Sequence, residues 1–136
     1  YTVIGDSVNL ASRLEGLTKY YGASVLIGEQ TKQSVEAFYF QAIDKVKVKG
    51  KEVPVTIYQP WPMSITGGQK NKIESFNEVF ALYQARQFDV ALTQLLQVIE
   101  DHGQERLFSL YQLRLIQYIE TPPEKNWDGS YSHDNK

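Results

Sequence analysis

The sequence predicts an α+β domain followed by an all-helical segment, and three observations predict it. Within residues 1–60, short β-branched runs alternate with stretches of helical spacing. Within residues 45–58, two strand-like runs flank the turn Lys49-Gly50-Lys51. Within residues 73–119, apolar side chains recur every three or four positions with no proline and one glycine, Gly103. The bulk properties agree with a folded chain. It has 136 residues, 42% hydrophobic and 22% charged, far from the composition of a disordered segment. A net charge of -2 offers no basic surface for a nucleic-acid backbone, so no nucleic-acid partner is expected. The absence of cysteine excludes disulfides, thiolate nucleophiles and cysteine-based zinc sites, and fits a cytoplasmic location. No run approaches the ~18 to 20 apolar residues of a membrane span, so any membrane attachment is expected through an upstream tether.

Residues 1–4 form a β-branched run that opens in mid-strand, so further chain upstream is expected. The run stops at Gly5-Asp6-Ser7, where Asp6 or Ser7 is placed to cap the orphan amides of a helix over residues 8–18. In that helix Val8, Ala11, Leu14 and Leu17 make a buried stripe, and Asn9, Ser12 and Arg13 fall off it. Gly22 closes the turn. Residues 24–27 read as a buried strand, Gly28-Glu29 as a break and residues 30–37 as a short helix. Over residues 39–48 the period changes to two, with Lys45, Lys47 and Lys49 on one face and Val46 and Val48 on the other. Residues 53–58 complete a hairpin, with Pro54 tolerable at a strand start.

The α+β part closes at residue 60, and residues 61–72 read as a linker. Three helices are predicted over residues 73–84, 88–100 and 104–119. Ala91, Leu95, Val98 and Ile99 share a face of the second, and Phe88 with Ala91 and Leu95 resembles the second helix of a tetratricopeptide repeat. The segment 73–129 is therefore expected to be a TPR-like helical hairpin or three-helix extension, with Phe76, Phe80, Tyr83 and Phe88 in its core. Trp127 is expected to pin the end of this segment onto the helices, and residues 130–136 to be a disordered tail. His102 and His133 stand apart from other ligating residues, so neither is assigned a metal or acid–base role.

Two residues of the first helix point to chemistry. Asn9 and Arg13 are four apart and project one turn from each other on one helical face, so both reach a single ligand. Arg brings a fixed charge and forked donors suited to phosphate. The surrounding string, Tyr1-Thr2-Val3-Ile4-Gly5-Asp6-Ser7-Val8-Asn9-Leu10-Ala11-Ser12-Arg13-Leu14-Glu15-Gly16, resembles the strand-turn-helix of class III nucleotide cyclases, in which G-[DN]-[ST]-V-N-x-A-[SA]-R recurs. Downstream, Val46-Lys47-Val48-Lys49-Gly50-Lys51 and the run 53–58 resemble the closing hairpin of the same family. The two motifs keep the family's order over residues 1–60, while residues 73–129 are similar to a C-terminal extension of some membrane-tethered bacterial cyclases.

The resemblance implies a ferredoxin-like α/β sandwich, present here in part, and conversion of ATP to 3′,5′-cyclic AMP and pyrophosphate. It implies that Asn9 holds the ribose, Arg13 stabilises charge at the α-phosphate, Lys49 grips the terminal phosphates and Thr2 faces the base. Thr at that position places the chain nearer the bacterial-type subgroup than the animal enzymes that carry Asp. It further implies a Mg2+ or Mn2+ cofactor held by two aspartates upstream of Tyr1, so no metal ligand is assigned within the chain, and a homodimer whose active sites form between two catalytic domains. The truncated chain is then expected to be inactive, since the metal clamp on nucleophile and leaving group is lacking.

Plainer readings stand beside these. Apart from the motif, Arg13 is a solvated helix residue, Asn9 a surface polar group, Lys49 one of three lysines on an exposed strand face and Thr2 an ordinary strand former. Asp6 reads as a helix cap rather than a metal ligand. At the level of function, a guanylate cyclase, a catalytically dead cyclase-like regulator and a helical protein-interaction module remain open alternatives.

Overall fold

The structure, a computed structural model, describes residues 8–48 and 53–133; for residues 8–13 and 48 only the backbone course is described. The chain divides into two compact units: residues 1–65 with 130–136, and residues 66–129.

In the first unit, helix α1 (Val8–Tyr21) outruns the expected end at residue 18 by most of a turn. Leu14, Leu17, Thr18 and Tyr21 are its buried face, so Tyr21 extends the periodic stripe and carries the helix with it. The helix ends in a Schellman closure, with Gly22 at φ 71°. There the Ala23 amide donates to the Thr18 carbonyl at 2.9 Å and the Gly22 amide to Lys19 at 3.3 Å.

Strand β1 (Ile27–Gly28) and helix α2 (Glu29–Gln33) are both shorter than the predicted 24–27 and 30–37. Ser24 turns its amide to the Gln59 side chain at 3.2 Å instead of a ladder partner, and Ala37 takes a left-handed φ of 67°, which no helix continues through. Strands β2 (Phe38–Val48) and β3 (Val55–Pro62) form the expected antiparallel hairpin, and β1 pairs antiparallel with the far edge of β3. A bulge between Ala42 and Asp44 places two steps of β2 against one of β3. The alternation lapses there, and Gln41, Ala42, Ile43 and Asp44 are all buried. The α+β class expected from the sequence agrees with this mixed architecture.

The second unit begins earlier than predicted. The segment taken as linker is largely structured: β3 runs on to Pro62, and α3 (Gly67–Gln84) starts at Gly67 under a Thr66 cap whose hydroxyl accepts from the Gln69 amide at 3.1 Å. Gly67-Gly68-Gln69-Lys70 carries no apolar period, so only the cap announces this turn. Helices α4 (Phe88–His102) and α5 (Arg106–Glu120) follow, each joined by a three-residue turn. Phe76, Val79 and Tyr83 of α3, Ala91 and Leu95 of α4 and Phe108, Tyr111 and Leu115 of α5 are fully buried. Of the predicted core aromatics, Phe76, Tyr83 and Phe88 are buried and Phe80 is half-buried. Phe76 stacks on Phe108 at 5.7 Å and meets Tyr111 edge-on at 5.2 Å, so α3 and α5 touch as well as flank α4. Trp127 packs edge-on against Tyr83 and Tyr118 at 5.4 and 5.8 Å.

The end of the chain departs from the expectation of a disordered tail over 130–136. Residues 131–133 form strand β4 (Tyr131–His133), parallel to β2, with Val46 opposite Tyr131 and Val48 opposite His133. The sheet order is β1-β3-β2-β4. The polar composition of this segment hides the strand because its order comes from partners elsewhere in the unit: His133 lies edge-on to Tyr20 at 4.9 Å and to Tyr131 at 5.0 Å.

Candidate functional site

Of the elements predicted to carry the site residues, the helix bearing positions 9 and 13 and the two strands of the hairpin are among the described residues. Helix α1 begins at Val8 and holds positions 9 and 13 one turn apart. Strand β2 ends at Val48 and β3 resumes at Val55, which brackets Lys49 in the connection of the hairpin. Thr2 and Lys49 themselves, the capping residues Asp6 and Ser7, and the side chains of Asn9 and Arg13 lie outside the described residues.

Beneath α1 sits a buried polar chain that the sequence did not reveal. The Tyr21 hydroxyl donates to Asp44 Oδ2 at 2.5 Å and lies 2.9 Å from His133 Nε2. Asp44 is fully buried on β2, and its other carboxylate oxygen accepts the Lys45 amide at 2.8 Å. A tyrosine hydroxyl has one proton, and here it goes to the carboxylate, so the imidazole Nε2–H donates to the phenolic oxygen. His133, read from sequence as isolated, is therefore the end of a relay that ties β4 to α1 and β2. The available signal was Tyr21, one period beyond Leu14 and Leu17 on the buried stripe.

A second cluster lies on the surface between α2 and the sheet. The Tyr58 hydroxyl donates to Glu29 Oε1 at 2.5 Å, and Lys32 Nζ stands 5.0 Å from the Tyr58 ring centre and 5.5 Å from that of Phe40. Burial pushes the Tyr58 phenol well above its ordinary range, and the hydrogen bond and charge of Glu29 add to the shift. Tyr58 is thus a neutral donor throughout the physiological range.

A groove of ≈ 220 Å³ in the helical unit is lined by Ser75, Glu78, Gln94, Gln97, Val98 and Asp101, two carboxylates and no cation. Such a lining repels phosphate. Among the described residues no three His, Cys, Asp or Glu side chains gather where they could hold a metal ion. Among the same residues no helix is long and apolar enough to cross a membrane.

Comparison with known proteins points to one class, the nucleotide cyclases. The chain is 53% identical over 62 residues to the adenylate cyclase of Anabaena cylindrica and 43% identical over 60 residues to adenylate cyclase 1 of Rhizobium meliloti, each match covering 43% of this chain. It is 31% identical over 131 residues to the terminal-differentiation-specific adenylate cyclase of Dictyostelium discoideum, a match over 88% of this chain that necessarily takes in most of the helical unit. The chain spans only 12%, 9% and 6% of the lengths of these relatives, respectively. No family model matches the chain, and no solved structure matches it. The relatives support a cyclase family for the matched part.

Proposed function

We propose that the chain is the C-terminal part of a class III adenylate cyclase catalytic domain with a helical extension, and that the whole protein converts ATP to 3′,5′-cyclic AMP and pyrophosphate. The observation that carries this reading is the 53% identity to an adenylate cyclase over 62 residues, a length matching the segment that bears both sequence motifs. That all three relatives bear the name adenylate cyclase favours ATP over GTP.

In the reaction the ribose 3′-oxygen attacks the α-phosphorus and loses its proton, a new P–O bond closes the ring, and the bond to pyrophosphate breaks. The chain's part in that step is orientation and charge. Asn9 would hold the ribose so that the 3′-oxygen faces the phosphorus, and Arg13, one turn on, would meet the charge gathering on the α-phosphate. Lys49, at the hairpin connection, would grip the departing phosphates, and Thr2 would face the base. A divalent ion, Mg2+ or Mn2+, held by carboxylates upstream of Tyr1, would lower the charge on the triphosphate. The working form would be a homodimer, with each site shared between two catalytic domains.

Complementation tests this arrangement in the complete protein. An Arg13→Ala chain and a chain lacking the metal carboxylates, each inactive alone, should recover cyclic AMP synthesis when co-assembled. No recovery, or turnover of GTP in preference to ATP, would sink the reading. The 136-residue chain incubated with ATP and either ion should produce no cyclic AMP.

A further inference from the structure

Helix α5 buries one side and leaves the other to solvent. Leu107, Phe108, Tyr111, Arg114 and Leu115 are buried, and at about 3.6 residues per turn they gather on one face. The opposite face carries Arg106, Leu110, Leu113, Ile116 and Glu120. Leu113 is 69% exposed and Ile116 40%, and Arg106 and Glu120 are exposed with them. A lone exposed leucine needs no explanation, but this one stands at the centre of an ordered face. Leu110 and Ile116 lie three positions to either side of it, and Arg106 and Glu120 seven positions to either side, with opposite charge. Seven residues are close to two whole turns, so Arg106, Leu113 and Glu120 fall on one line along the helix. The charges run against the helix that bears them. A cation opens α5 and an anion ends it, with no acidic residue in the first turn and no basic residue in the last, whereas the macrodipole favours the reverse. At about 1.5 Å per residue the two charges stand roughly 21 Å apart, too far to offset each other within one chain.

We propose that the outer face of α5 pairs with α5 of a second copy of this chain, antiparallel, across a two-fold axis at Leu113. A two-fold interface is self-complementary, so each residue must suit the one at the mirrored offset. In this pairing Leu113 meets its own counterpart, Leu110 meets Ile116 and Arg106 meets Glu120, the last two contacts being made twice. Antiparallel order also sets Arg106 beside the C-terminal end of the second helix and Glu120 beside its N-terminal end, where the macrodipole favours each. The charge order that is unfavourable in one chain is therefore favourable in two. A parallel pair would stack like charges at both ends, and an unrelated partner would not call for a face symmetric about its centre. Three apolar side chains per copy make an interface below the about 1,200 Å² of standard complexes, so the dimer should be weak, with a Kd of about 10 μM or higher. The pairing does not depend on the cyclase reading.

Sedimentation equilibrium of the whole 136-residue chain, up to about 1 mM, tests it. The parent should show a reversible monomer–dimer equilibrium. Leu113→Glu, at an exposed position, should raise the dimer Kd by about tenfold or more while circular dichroism shows the helices unchanged. Arg106→Glu and Glu120→Arg each set like charges against each other at both ends of the pair, and each should raise the Kd by about fivefold. Mixed in equal amounts, those two variants should associate as tightly as the parent, because both ends of the mixed pair then bring opposite charges together. The weakening and its rescue require the antiparallel order, since in a parallel pair the parent would already be repulsive at both ends. A parent chain that stays monomeric to about 1 mM, a dimer indifferent to Leu113→Glu, or single variants that show no rescue on mixing would overturn the proposal. The readout is molecular mass and not cyclic AMP, so failure of this pairing and failure of the cyclase reading are distinguishable.

Discussion

Tyr58 ties one side chain to the alkaline limit of the fold. Its phenol is held protonated by burial first and by Glu29 second, so its folded pKa lies above the ordinary value of 10. A raised folded pKa means that the stability this group contributes is fully present below about pH 10 and is lost as pH climbs toward the folded value. Tyr58→Phe removes the titration. Urea denaturation of parent and variant at pH 8 and pH 11 should show the stability difference moving in the variant's favour at the higher pH. On the proposed cyclase reading, Arg13→Ala in the complete protein should lower kcat by about a hundredfold or more, as removal of a single oxyanion-type donor does, and Arg13→Lys should not restore it. Steady-state assays on ATP measure this. The helix that carries positions 9 and 13 was legible because its period is a local property of one element, whereas the partners of Asp44 and Tyr21 sit on different elements and left no pattern in any short window.

At the scale of the element, the α3–α4 turn holds an arginine where a glycine is usual. Arg86 has φ 64° in a Schellman closure in which the Gln87 amide donates to Leu82 at 2.9 Å and the Arg86 amide to Tyr83 at 3.1 Å. The left-handed backbone disfavours any side chain by about 1 kcal/mol. The guanidinium offsets that cost by donating to the Pro123 and Glu124 carbonyls at 2.8 and 3.0 Å and by lying over Phe88 and Trp127. Arg86→Ala keeps the strained backbone and loses the contacts, whereas Arg86→Gly loses the contacts and relieves the strain. Both should destabilise, and the alanine variant should be the less stable by about 1 kcal/mol in chemical denaturation. Nothing in the sequence marked this turn beyond the break between two helical periods, because Arg in a left-handed position is a choice that the Pro123 loop makes possible.

At the scale of the whole molecule, two units with separate cores predict separable folding. Residues 66–129 contain their own capped first helix, a continuous aromatic core and the Arg114 side chain, buried at 5% exposure, which stands 4.9 Å from the Tyr111 ring centre and donates to the Tyr83 hydroxyl at 3.1 Å. An excised 66–129 chain should show cooperative helical unfolding by circular dichroism. In it, Phe76→Ala should cost about 3 to 5 kcal/mol, enough to abolish the transition in a unit of this size. A non-cooperative melt of the parent fragment would mean that its core depends on the first unit. The relative from Dictyostelium discoideum matches across both units, so the helical segment accompanies the cyclase-like segment in at least one other protein.

The sequence by itself determined the order of α1, β1, α2, the β2–β3 hairpin and the three later helices, and marked Asn9 and Arg13 as candidates, since period, cap and turn chemistry are written within windows of a few to a dozen residues. The tertiary structure alone decided that residues 131–133 are a strand, that β2 bulges to bury Asp44, and that the segment forming the helical unit lies, in chain order, between two strands of one sheet. Those features have no local cause. A polar tripeptide becomes a strand only when an edge, a tyrosine hydroxyl and a buried carboxylate from distant parts of the chain already stand where it can join them.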